Sequence, residues 1–281
     1  MQEPLIHWKA LLTLGRQNKA SDPKRNIFDE GDMPAIYNRM ALLEREYTQD
    51  HLAVLGILPT DTVLDLCCGP GRIATLAAEK AAAVTALDGS ERMLGYCREN
   101  ATRFGVADKI TPVCMNWHDV QPGENIQKHD VVIAARSLAM YDIEKLSALS
   151  NRLVAVIAFA NTPNLPGTFN RIFAGTQEDG GEYPMSFDRR TGYNLLFNMV
   201  YDAGYEPNIV NLPDGFTDVY RTREEAYDAL RKIRPFPDAY LPVFRQNVDR
   251  YLTETADGFV FRIETRAMIL WWETQPDWKA R

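Results

Sequence analysis

The chain has 281 residues, a hydrophobic share of 46%, a charged share of 25% and a formal net charge of −7. That length suits one large or two small domains, with enough apolar material for a sizeable core. An acidic balance gives no general attraction to nucleic acid or anionic membrane, and no apolar run reaches the roughly 18 residues a membrane span needs.

In chain order, Leu5, Trp8, Leu11, Leu12 and Leu14 have helical spacing over residues 5–17. Residues 20–32 are polar, with Pro23 and Gly31, and read as a loop. Residues 33–58 carry Ile36, Tyr37, Met40, Leu43, Tyr47, Leu52 and Leu55 and read as one or two amphipathic helices. From Thr62 strand and helix patterns alternate. Strands are expected at 62–66, 83–87, 110–115, 130–134 and 154–159, with helices at 72–80, from Ser90, and at 142–153. Apolar strands in βαβ alternation imply a parallel sheet covered by helices on both faces. Residues 161–190 break the pattern, being rich in Pro, Gly and polar side chains. A helix over 193–203 stops at Gly204 and a strand follows at 208–212. Two further helices, 223–233 and 239–253, precede a last strand at 259–272, whose alternation fits an antiparallel strand.

The chemistry concentrates in Val63-Leu64-Asp65-Leu66-Cys67-Cys68-Gly69-Pro70-Gly71, where an apolar strand enters a glycine-containing turn that opens a helix. The next strand ends on Asp88, 17 residues after Gly71. Strand, close-approach loop, helix, strand and acid is the layout of a site for a nucleoside-bearing cofactor. Glycines let the backbone approach the ligand, and the terminal carboxylate can accept both ribose hydroxyls. A nicotinamide site is the nearest competitor. It expects G-x-G-x-x-G, whereas Gly69-Pro70-Gly71 continues as Arg72-Ile73-Ala74. Asp65 would repel a pyrophosphate, and this charge argument speaks against the nicotinamide site.

Asp65 to Gly71, followed by Asp88-Gly89-Ser90-Glu91-Arg92-Met93-Leu94, resembles the class I S-adenosylmethionine-dependent methyltransferases, whose first motif reads D-x-G-x-G-x-G. The resemblance covers roughly residues 40–160 and, less closely, the last strand. It implies a Rossmann-like, seven-stranded, mostly parallel sheet with an antiparallel last strand and helical lid insertions. The implied organisation is a helical cap over 1–58 and a methyltransferase domain over 59–281 with insertions at 161–200 and 213–255. The implied cofactor is S-adenosyl-L-methionine, with S-adenosyl-L-homocysteine as product. Cys67 stands where the family has its first glycine, so its backbone is expected to need no glycine-only conformation.

Several roles follow from the resemblance. Gly69 and Gly71 let the main chain pass the cofactor, Asp65 orders the loop or reaches the cofactor's ammonium, and Asp88 holds the ribose. Cys67 and Gly89 are further cofactor-binding candidates, and Met93 packs on the adenosine. Asn116, Trp117 and His118 surround the adenine. Arg136 lies where the methionine end meets the acceptor. Tyr37, Arg136 and Tyr141, with Tyr183 and Tyr193, are candidate acceptor-facing groups, and the catalytic residue is left open.

The acceptor is expected to be a small or medium organic molecule. Ala134-Ala135-Arg136-Ser137-Leu138 lacks the N/D-P-P-Y/F/W of base-amino methyltransferases and the Pro-Cys of cytosine-C5 enzymes. Glu144 alone does not supply the glutamate pair of a protein-arginine enzyme. The expected lid holds Trp8, Phe28, Tyr37, Phe169, Phe173, Tyr183, Phe187, Phe197 and Tyr240, which suggests an aromatic acceptor pocket. Cys67, Cys68, Cys97 and Cys114 have no metal-ligand spacing, and Met1-Gln2-Glu3-Pro4 does not open a signal peptide. The expectation is a cytoplasmic protein with reduced thiols and no metal, nucleic-acid or membrane partner. A binding protein without transfer activity is the alternative.

Overall fold

The computed structural model describes residues 6–14, 31–160, 163, 165–176 and 192–275. Phe28, Tyr183 and Phe187 lie outside these residues. Three helices come first: α1 (Trp8–Leu14), α2 (Met33–Leu43) and α3 (Arg45–Ala53). Then follow β1 (Thr62–Leu66), α4 (Arg72–Ala78), β2 (Ala83–Asp88), α5 (Glu91–Arg103), β3 (Ile110–Cys114), β4 (His129–Ala135), α6 (Ile143–Ala148) and β5 (Ser150–Phe159). The remainder is α7 (Leu165–Ile172), α8 (Tyr193–Asp202), β6 (Asn208–Tyr220), α9 (Arg223–Arg231), α10 (Leu241–Asp249), β7 (Leu252–Thr255) and β8 (Gly258–Glu273).

The strands form one sheet in the order β3-β2-β1-β4-β5-β8-β6, with β7 paired to β8. β1 to β5 run parallel; β8 is antiparallel to β5, β6 and β7. After β1 the chain moves outward to β2 and β3 and returns to β4 on the other side of β1. That reversal opens a crevice at the carboxyl ends of β1 and β4, where open α/β sheets bind ligands.

The sheet has eight strands rather than the expected seven. β7 occupies the end of a segment read as helix: α10 stops at Asp249, and Leu252–Thr255 turns back through Asp257-Gly258 into β8. β6 runs eight residues beyond the expected strand end at Leu212, so the expected insertion at 213–255 begins only after Tyr220. Pro213 and Gly215 fall within the added stretch, and an edge strand tolerates both. Gly215 has φ +139°, and a β-carbon there would stand 2.0 Å from the Ile263 carbonyl oxygen.

Two apolar clusters cover the sheet faces. One holds Val63, Ala74, Ala86, Val131, Ile157 and Ile269, with Leu52 and Leu55 of the α3 region. The other holds Leu64, Leu66, Val132, Val154, Met268 and Trp272, with Leu196 and Val200 of α8. Alternate residues of β1 thus serve opposite faces, as a central strand requires. A third cluster, containing Phe169, Phe173, Phe216, Phe236, Phe244 and Phe261, joins α7, α9 and α10 to the far ends of β6 and β8.

That third cluster changes the reading of the lid aromatics. Phe169 and Phe173 are 3% and 2% exposed, and Phe173 stacks on Phe244 with centroids 5.4 Å apart. Tyr240 packs at the edge of the same cluster, and Trp8 and Phe197 pack at the edge of the second. These rings bury one another because they are the apolar faces of short helices that need a core of their own. Of the described aromatics in that set, Tyr37 is the one placed against the glycine loop.

Candidate functional site

The loop after β1 is held by backbone and carboxylate together. Cys67, Gly69 and Gly71 have φ of +56°, +55° and +81°. The Cys68 N–H donates to the Leu87 carbonyl at 3.0 Å, and the Gly71 N–H donates to the Cys68 carbonyl at 3.0 Å. Cys67 therefore takes the left-handed conformation that favours glycine, contrary to the expectation for it. A side chain in that region costs about 1–2 kcal/mol. Burial pushes the Cys67 thiol up to about 11, with the Asp88 charge adding to the shift, so it is no thiolate nucleophile.

The glycines answer to packing. A β-carbon on Gly71 would come 2.7 Å from Cys97 Sγ and 3.3 Å from Cys97 Cβ, so α4 and α5 approach through this residue. A β-carbon on Gly69 would stand 3.3 Å from Cε1 of Tyr37, whose ring therefore lies over the loop. Burial raises the Tyr37 pKa against the pull of Arg72 and Arg136.

Two carboxylates frame the loop. Asp88, at the end of β2, accepts the Gly69 N–H on Oδ2 and the Ser90 N–H on Oδ1, both at 2.8 Å. Ser90 caps α5 by accepting the Met93 N–H at 3.2 Å, and Met93 is 2% exposed. Asp65, on β1, is 1% exposed; its Oδ2 accepts the Ala74 N–H at 2.9 Å, while its Oδ1 is buried without a partner. Burial raises its pKa to about 7, despite the opposing pull of Arg72 and of the Ala74 hydrogen bond.

After β3, Asn116 Oδ1 accepts the His118 N–H at 3.0 Å and starts the 3₁₀ turn Trp117–Asp119. Trp117 is buried, with Lys145 Nζ 4.2 Å from its ring centroid, while Asn116 and His118 are exposed. Gly89 lies against this turn: a β-carbon on it would be 3.8 Å from Asn116 Cα. Tyr141 and Tyr193 pack partly buried at the rim of the second cluster.

Arg136 follows β4 with φ +49°. Its guanidinium is 7% exposed, donates to Glu44 Oε2 at 2.7 Å and Asp214 Oδ2 at 2.5 Å, and stands 4.3 Å from the Phe159 ring centroid. Burial alone would lower its pKa; Glu44 and Asp214 more than offset that, and the net shift is upward. Arg72 extends the network, 3.7 Å from Glu44 and donating to Thr48 Oγ1 at 2.8 Å. His51 is fully buried; its Nε2 stands 2.9 Å from the Pro213 carbonyl, which makes Nε2–H the donor and leaves Nδ1 as a lone pair. Burial lowers its pKa and keeps it neutral.

Sequence reasoning assembled Asp65, Gly69, Gly71, Asp88 and Arg136 but missed Glu44, Arg72, His51 and Asp214. One signal was present. Glu44, Thr48, His51, Leu52 and Leu55 share one helix face, so polar groups sat on a face that had to be buried.

The family profile described as "Methyltransferase domain" matches residues 63–158, the span from β1 through β5. Over that span the chain is similar to a methyltransferase domain. A Haemophilus influenzae protein described as uncharacterized is 30% identical over 168 residues, and the chain spans 58% of its length and of its own. The uncharacterized methyltransferase sll0829 of Synechocystis is 39% identical over 70 residues, 24% of this chain and 33% of that one. The solved structure of the YcgJ protein of Bacillus subtilis shares the fold, with a TM-score of 0.52, 10% identity, and coverage of 82% of this chain and 99% of that one.

The class I cofactor fits these residues. The orphaned Asp65 Oδ1 matches the cofactor's ammonium in charge, and the loop itself presents no β-carbon at Gly69 and Gly71. Among the described residues no group of three His, Cys, Asp or Glu is arranged to hold a metal, and no helix is long and apolar enough to cross a membrane.

Proposed function

We propose that the protein transfers a methyl group from S-adenosylmethionine to a small or medium organic acceptor by in-line displacement, releasing S-adenosylhomocysteine. The buried, unpartnered Asp65 Oδ1 beneath a glycine loop carries this reading. When bound, S-adenosylmethionine supplies a methyl group already made electrophilic by a sulfonium, whose departure leaves a neutral thioether.

The protein's own part is alignment and exclusion of water. Asp65 would hold the ammonium. Asp88 would accept the ribose hydroxyls with the lone pairs not engaged by Gly69 and Ser90. Asn116 or His118 would meet the adenine edge, and Trp117 and Met93 would pack near it. Arg136 serves through Glu44 and Asp214, holding the crevice wall rather than the substrate. Tyr37, over the loop, is the described group best placed to face an acceptor.

The test is direct. Calorimetry should show binding of S-adenosylmethionine and S-adenosylhomocysteine, and labelled cofactor incubated with a metabolite extract should be converted to its demethylated form. Uptake of a dinucleotide in place of these ligands would sink the reading. Binding without turnover across a broad extract would leave a sensor.

Asp65 also makes the affinity depend on pH. Its folded-state pKa near 7 lies above the ordinary aspartate value of 3.8, so between those values the native state holds a proton the unfolded chain has lost. Cofactor-free stability accordingly falls as pH rises through that window. Ligand binding runs the other way, because only the ionised carboxylate pairs with an ammonium. The affinity for S-adenosylhomocysteine should rise by up to about tenfold per pH unit from 5.5 to 7 and level off above it. Asp65→Asn should flatten this profile at weak affinity. A wild-type profile with no slope below pH 7 would remove Asp65 from the ammonium contact.

A further inference from the structure

Helix α2 crosses the mouth of the crevice, and its two ends are fastened differently. At its C-terminus, Glu44 is both the last cap of α2 and the first of α3, and its carboxylate is pinned by Arg136 and Arg72. Beyond it, Leu52 and Leu55 are 1% and 3% exposed in the main core, which fixes α3. α2 itself buries only Pro34 and Ala41, with Met40 and Leu43 resting partly buried on the third cluster.

The other fixings of α2 are polar. Arg39 forks onto Asp218 of β6, with Nε 3.0 Å from Oδ2 and NH2 2.7 Å from Oδ1. The Asn100 amide of α5 donates to Asn38 Oδ1 at 2.8 Å and also to the Pro70 carbonyl of the glycine loop at 2.9 Å. Between these two fixings, Tyr37 lays its ring on Gly69. A ligand cannot lie on the loop at Gly69 while that ring stays in place. Polar fixings exchange for water at small net cost, whereas the pinned, apolar α3 side does not.

We propose that α2 is a gate over the cofactor loop, hinged at Glu44, and that Arg39 and Asp218 form its catch, positioning Tyr37 and setting how fast S-adenosylmethionine enters and leaves. This rests on the cofactor reading above. The catch joins a guanidinium 58% exposed to a carboxylate 8% exposed, so salt weakens it from the open side. Arg39 touches neither the loop nor Asp65 nor Asp88, so its removal changes the gate and leaves the ligand's own partners in place.

The experiment is stopped-flow mixing of the whole protein with S-adenosylhomocysteine, read by intrinsic fluorescence. Arg39→Ala should raise the association and dissociation rates together, each by about fivefold or more, with Kd held within about threefold. Arg39→Lys, a point charge without the fork, should fall between wild type and alanine. Tyr37→Ala should also raise the association rate. Wild-type rates should climb between about 50 and 500 mM salt, and those of Arg39→Ala should not. Wild-type rates in both alanine variants, with the ligand bound, would overturn the gate. A wild-type protein that ignores S-adenosylhomocysteine would overturn the cofactor reading and the gate with it. Should Arg39→Ala fold poorly, Asp218→Asn breaks the same catch from the other side.

Discussion

Replacing Arg136 with alanine is expected to lower the unfolding free energy by about 3–5 kcal/mol, the usual cost of leaving a buried charge without its partner. Two carboxylates lose their counter-ion at once. The Glu44 and Asp214 side chains are 4% and 1% exposed, and Asp214 Oδ1 has no partner even in the intact protein. Arg72 remains for Glu44 at 3.7 Å, and nothing comparable remains for Asp214 among the contacts of this network. Urea titration should show the loss, with a melting temperature lower by roughly 10 °C. A companion variant separates charge from backbone. Arg136→Gly relieves the φ of +49° and should recover only about 1 kcal/mol of the deficit. A double change that also neutralises Asp214 but keeps Glu44 for Arg72, Arg136→Met with Asp214→Asn, should regain most of the stability, because uncompensated charge is the main penalty. An Arg136→Ala protein as stable as wild type would mean that water reaches this junction.

Asp88→Ala carries the largest expected effect on ligand affinity. Its carboxylate is committed twice: to the Gly69 and Ser90 N–H groups within the protein, and to the ribose in the proposed complex. Each hydrogen bond to a charged acceptor is worth about 1.5–3 kcal/mol. Calorimetry should therefore show S-adenosylhomocysteine bound at least about 100-fold more weakly, and the free protein should lose about 1–3 kcal/mol of stability. The two losses are separable. A protein that loses stability but binds with unchanged affinity would refute the ribose assignment and leave Asp88 as a loop clamp. Asp88→Asn should resemble alanine for binding, since an amide N–H₂ would face one of the two backbone donors.

The half of the molecule that builds the glycine loop was readable because its signals are local. Apolar runs bounded by Asp65 and Gly69, Ser90 as a cap, and Asp88 at a strand end each act within a few residues. The charge network was not readable in the same way. Glu44, Arg72, Arg136 and Asp214 come from four distant segments, and only the folded chain brings Asp214 of β6, separated from β4 by two strands, to the Arg136 guanidinium. The aromatic lid misled for a related reason: a short helix with Phe on one face reads the same whether it lines a cavity or packs on its neighbours. Residues 213–220 lay beyond the expected strand end, because sequence does not reveal that β6 is the outermost strand, where a proline and a glycine are tolerated.

That outermost position gives Pro213 a consequence of its own. An unprotected sheet border offers a row of donors and acceptors on which a second chain can add a strand. Within a strand, the N–H and carbonyl of one residue face the same side, and the Pro213 carbonyl faces outward, since it accepts from His51. The missing donor of the proline thus faces outward too, and its acceptor is already taken. Midway along β6 the border is interrupted by a dead spot that can neither give nor receive, which should discourage sheet-to-sheet zipping between neighbouring molecules and keep concentrated solutions from aggregating along that rim.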